Sequence, residues 1–115
     1  IMSIYFADYL FTEPERLTSW KPPYMAGIYA ILVDEPSRTP VPFRSIYFGE
    51  TVDMSESGFI QRHPLHDCWY KQTGSVYRLY IAVCEMPDSS LAERQRVATE
   101  LIKQYLPICN EPIPF

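Results

Sequence analysis

Residues 27–33, Gly-Ile-Tyr-Ala-Ile-Leu-Val, and residues 45–49, Ser-Ile-Tyr-Phe-Gly, carry the strongest β signal in this chain. Both runs are rich in β-branched and aromatic residues and are bounded by turn formers, so they read as two strands of one long hairpin. The connection from Asp34 to Arg44 is charged and contains Pro36, Pro40 and Pro42, which fix the backbone and withhold a hydrogen-bond donor.

Further along, Val76 to Met86 is too apolar and too β-branched for a loop and reads as a third strand. Leu91, Val97, Ala98, Leu101, Ile102 and Tyr105 then recur at spacings of three and four, the mark of an amphipathic helix. Ser90 followed by Glu93 has capping-box spacing at its start, and Pro107 stops it. Before the hairpin, the stretch from Thr12 to Trp20 is polar and weakly helical. Residues 1–25 are therefore expected to form an N-terminal extension packed on a domain spanning 26–115. The order of elements predicts an α+β fold, a small three-stranded, mostly antiparallel sheet flanked by helices.

At 115 residues the chain is long enough for one core and too short for two. Hydrophobic residues at 47% and charged residues at 21% place it among ordinary globular proteins and exclude the disordered class. The longest apolar stretch, Met25 to Val33, falls far below the roughly 18 residues of a membrane span, so no membrane partner is expected. Asp8, Glu13 and Glu15 near the start do not resemble a secretory signal. Cys68, Cys84 and Cys109 are widely spaced and odd in number, which predicts reduced thiols and a cytoplasmic location. A formal charge of −4 gives no global attraction to a polyanion, so nucleic acid would have to meet a local basic patch.

Gly27-Ile28-Tyr29 and Tyr47-Phe48-Gly49, followed by Leu101-Ile102-Lys103-Gln104 and by Asn110, resemble the signature of the GIY-YIG nuclease superfamily. The landmarks occur in the family's order across about residues 26 to 110, nearly the whole chain. The resemblance implies a GIY-YIG fold. It implies an active site in which a glutamate holds a divalent metal, Mg²⁺ or Mn²⁺, and an arginine stabilises charge on the scissile phosphate. Two tyrosines and a histidine position and deprotonate water there.

Tyr29, Tyr47 and His63 occupy the positions of those tyrosines and that histidine, and are expected to share one cleft. Gly27 and Gly49 permit close approach at its wall, and Asn110 satisfies backbone groups after the last helix. The charged groups are absent. The family's arginine lies about ten positions after the second tyrosine, which falls on Ser57, and its glutamate lies three before the Leu-Ile pair, on Ala98. Alanine offers a hard cation no oxygen, and serine lacks the fixed charge and fork of a guanidinium.

Three readings follow. The first is a nuclease-like domain that binds nucleic acid with little or no hydrolysis. The second is an active endonuclease with a rearranged site, using Arg62 in place of the family's arginine and a carboxylate such as Glu50. The third is a protein-interaction module. Lys21, Arg38, Arg44, Arg62, Lys71 and Arg78 are the candidates for phosphate contacts, interleaved with Tyr24, Trp69 and Tyr70. His63, His66, Asp67 and Cys68 lie close together, but no second pair of ligands accompanies them, so Cys68 reads as packing beside Trp69.

Overall fold

The structure is a computed structural model that describes residues 3–56, 58 and 60–110. The expected hairpin is present and longer than its sequence core. β4 (Gly27–Asp34) and β5 (Phe43–Thr51) run antiparallel with Tyr29 opposite Gly49 and Ile31 opposite Tyr47. Between Ile31 and Leu32 the register shifts, because Leu32 pairs with Ser45 and leaves Ile46 as an extra residue in β5. β6 (Leu79–Glu85) pairs antiparallel with the other side of β4, placing Val83 opposite Tyr29.

Before the main hairpin the structure has a small antiparallel hairpin, β1 (Ile4–Phe6) and β2 (Tyr9–Phe11), and the stretch expected to be weakly helical, Thr12 to Trp20, holds β3 (Glu15–Arg16) and one turn of 3₁₀ helix at Leu17–Ser19. β3 pairs with β6, so the main sheet has four strands in the order β3-β6-β4-β5 rather than three. Thr12 extends this pairing, its amide donating to the Val83 carbonyl at 2.8 Å and its hydroxyl accepting from the Val83 amide at 3.0 Å. An edge that β6 would otherwise leave open is thereby satisfied. Phe6 and Phe11 are buried, which anchors the small hairpin to the core.

Two apolar clusters sandwich the sheet, and the alternation along β4 assigns each to a face. Ile28, Ala30 and Leu32 join Phe6, Phe11, Phe48, Val97, Ala98 and Leu101 on the face covered by α2 (Leu91–Tyr105). Tyr29, Ile31 and Val33 join Ile46, Met54, Ile60 and Trp69 on the other face, where α1 (His66–Lys71) packs. The capping box of α2 forms as its spacing predicts: Ser90 Oγ accepts the Glu93 amide at 3.1 Å and Glu93 accepts the Ser90 amide at 2.8 Å. These bonds hold the Glu93 carboxyl below its usual value. α2 ends one residue before Pro107, at Leu106 in the left-handed region. Among the described residues no helix is long and apolar enough to cross a membrane.

The expectation of three reduced cysteines is overturned. Cys68 on α1 is bonded to Cys109, and only Cys84 is free. Odd number and wide spacing mislead here because folding the C-terminal segment back across β5 brings together two residues 41 positions apart. Burial pushes the Cys84 thiol up, which favours its protonated form.

Candidate functional site

Tyr29, Tyr47 and His63 come together on the α1 face. The Tyr29 ring centroid lies 5.9 Å from that of Tyr47, and the His63 ring lies 5.0 Å from Tyr47 and 6.1 Å from Tyr29. The strand period of two explains the first pair: Tyr29 faces Gly49, and Tyr47, two residues before Gly49, projects on the same side. A Cβ at Gly49 would collide with the Tyr29 ring and hydroxyl and with the Tyr47 ring, so the glycine is what lets the two rings close over β5. Gly27 has a similar role at the start of β4, where a Cβ would run into the Cys84 carbonyl of β6.

Hydrogen bonding gives the group a direction. The Leu65 amide donates to His63 Nδ1 at 3.0 Å, which makes Nδ1 the acceptor nitrogen and leaves the proton on Nε2. His63 Nε2 lies 2.9 Å from the Tyr29 hydroxyl oxygen and donates to it. The Tyr29 proton is then directed to the Tyr47 hydroxyl, its other partner. Burial pushes the Tyr29 phenol well above its usual value, with Tyr47 and then Glu50 adding to the shift. Burial likewise lowers His63, with His66 reinforcing it. The site therefore holds a neutral imidazole and a neutral Tyr29 phenol at physiological pH, and its histidine is built to donate rather than to abstract a proton.

Trp69, which the sequence reading places only among the aromatics interleaved with the basic residues, packs against this group. It is fully buried, with its ring 4.5 Å from His63 and 5.4 Å from Tyr47. The Cys68–Cys109 bond anchors α1 beside it. Next along the chain, Asn110 reaches the outer edge of β5, accepting the Phe48 amide and donating to the Phe48 carbonyl, each at 2.9 Å. Together with the Cys109 amide bonded to the Ile46 carbonyl at 2.9 Å, this clamp stands in for a further strand. Asn110 thus satisfies backbone groups of the strand carrying Tyr47, not of the helix before it.

The remaining candidates lie elsewhere. Ser57 is outside the described residues. Ala98 is buried on the opposite face of the sheet from Tyr29, in the apolar cluster that also holds Val97, Leu101 and Phe11. Glu100 accepts a hydrogen bond from Tyr9, which turns it toward the N-terminal hairpin. Glu50 is held by the buried Arg94 at 2.9 Å, and that guanidinium also donates to the Ser89 carbonyl at 2.6 Å. Arg62 is exposed and its guanidinium folds back over Gly58, while Lys71 is exposed at the end of α1. Arg38 and Arg44 sit on Glu35, and Arg78 on Asp34, at 3.4 to 4.0 Å. Arg38, Arg44 and Arg78 are therefore shared with carboxylates. Among the described residues no group of three or more His, Cys, Asp or Glu is arranged to hold a metal ion.

Comparison of this chain with family models, with curated proteins and with solved structures finds no match.

Proposed function

We propose that the chain is a GIY-YIG nuclease-like domain that binds nucleic acid with weak or absent phosphodiester hydrolysis. The observation that carries this reading is the meeting of Tyr29, Tyr47 and His63, which come from two strands and a loop and which the resemblance assigns to one site. The order of β4, β5, α1, β6 and α2 agrees with the same assignment.

The donor set does not fit the divalent metal that the resemblance implies. Ala98 contributes no oxygen and is packed among hydrocarbons, and Glu50 is committed to Arg94. His63 carries its proton on Nε2 and would give up the Leu65 bond to accept another on Nδ1. Phosphate binding falls instead to exposed cations flanking the aromatic group, Arg62 just before His63 and Lys71 at the end of the helix that carries Trp69. Stacking on exposed Tyr70 suits single strands. The Cys68–Cys109 bond favours an oxidising setting over the cytoplasm.

Titration of labelled single-stranded and duplex DNA tests this. Affinity should fall as salt rises, and charge removal at Lys71→Gln and Arg62→Gln should weaken it and flatten its salt dependence. Failure to bind at any salt favours a protein partner, a reading that the formal charge of −4 supports.

A further inference from the structure

On the α2 face, away from the tyrosines, the β1–β2 hairpin, the turn after β4 and the end of α2 enclose a cavity of about 180 Å³. Its lining is mixed in a particular way. Phe6 and Phe43 are buried, Tyr5 and Tyr105 stand over them, and Phe6 meets Tyr105 edge to face at 5.4 Å. Ser45 also lines it, and its hydroxyl makes no hydrogen bond among the described residues, which leaves it open to the cavity. Tyr105 accepts the Ala7 amide at 2.6 Å and so keeps its own proton to donate. Arg38 lines the cavity too. It shares Glu35 with Arg44, at 3.4 and 4.0 Å, so two guanidiniums meet one carboxylate beside the cavity. These exposed pairs are weak, and an anion can displace Glu35 at little cost.

We propose that this cavity is a binding site for a small aromatic carboxylic acid. The volume holds one ring and a short arm and is below that of drug-sized cavities. The ring packs against Tyr5, Phe43 and Tyr105. Its carboxylate takes a charge-assisted pair with Arg38, and an acceptor on the ring receives the Ser45 hydroxyl. The N-terminal hairpin then has a role besides covering the core, since Tyr5 and Phe6 are contributed by it. The proposal stands apart from the nuclease-like reading, because none of its residues belongs to the tyrosine site.

The test uses 4-hydroxyphenylacetate as the probe and tyramine, the same skeleton with an ammonium in place of the carboxylate, as its opposite. In NMR titrations of the full chain the acid should shift the resonances of Val41, Phe43, Ser45 and Tyr105 saturably, with tyramine at least about tenfold weaker. Arg38→Gln, at an exposed position, should weaken the acid about tenfold, the effect of one charge-assisted bond, and Ser45→Ala should weaken it about threefold or more. Equal binding of tyramine, shifts confined to other parts of the chain, or indifference to Arg38→Gln would overturn the proposal.

Discussion

Gly49 and His63 do more for the tyrosine pair than their size suggests. Alanine at position 49 would drive a methyl into both Tyr29 and Tyr47, and overpacking of this kind costs about 1 to 3 kcal/mol. Gly49→Ala should therefore lower the urea midpoint with little change in slope, and an unchanged midpoint would mean that the rings do not close over β5. His63 makes stability depend on pH. Its folded value lies below the usual 6.5, so between the two values the unfolded chain binds a proton that the folded chain excludes. The contribution is complete above about 6.5 and is lost as pH falls toward the folded value. Urea midpoints should drop between about pH 7.5 and pH 5, and His63→Gln should flatten that drop. An equal slope in the variant would assign the effect to other groups.

Among the elements, the edge of β5 depends on the chain that follows α2. Asn110→Ala removes two hydrogen bonds to Phe48, a loss of about 1 to 3 kcal/mol, and should speed amide exchange at Phe48 first. Breaking Cys68–Cys109 by reduction should cost about 4 kcal/mol for a loop of this length in the chain-entropy view. The two losses should not add, because both act on one short segment. Thermal unfolding with and without a dithiol, in both backgrounds, measures each term. Local pattern makes β4, β5, β6 and the capped α2 legible in the sequence, since alternation, turn residues and the Ser90–Glu93 spacing are all read within a few positions. The strands before Gly27 are not legible in that way. β3 is two residues long and exposed, and it exists because Thr12 and Glu15–Arg16 meet β6 from a distance. The cysteine bond fails for the same reason: it is a fact of tertiary closure.

For the whole molecule, the sheet separates two kinds of surface. One face carries the aromatic group of Tyr29, Tyr47, His63 and Trp69, and the other carries α2 with Ala98 in its apolar seam. The tripeptides identify the tyrosines because strand period alone brings them together. They do not reveal the wall supplied by Trp69 or the tautomer set by Leu65, which depend on how the loop before α1 returns to the sheet. Glu50 ties β5 to α2. Replacing it with alanine strands a buried guanidinium, and with partial exposure of the pair the loss should be about 2 kcal/mol or more in urea unfolding. A larger change in metal-dependent activity than in stability would point to a ligand role for Glu50 instead.

The most direct measurement is a titration of labelled single-stranded and duplex DNA in Mg²⁺ and in Mn²⁺, read by anisotropy and then resolved on a denaturing gel. The account predicts binding that weakens with salt and DNA that stays intact. Efficient cutting that Tyr29→Phe abolishes, or no binding even at low salt, would contradict it.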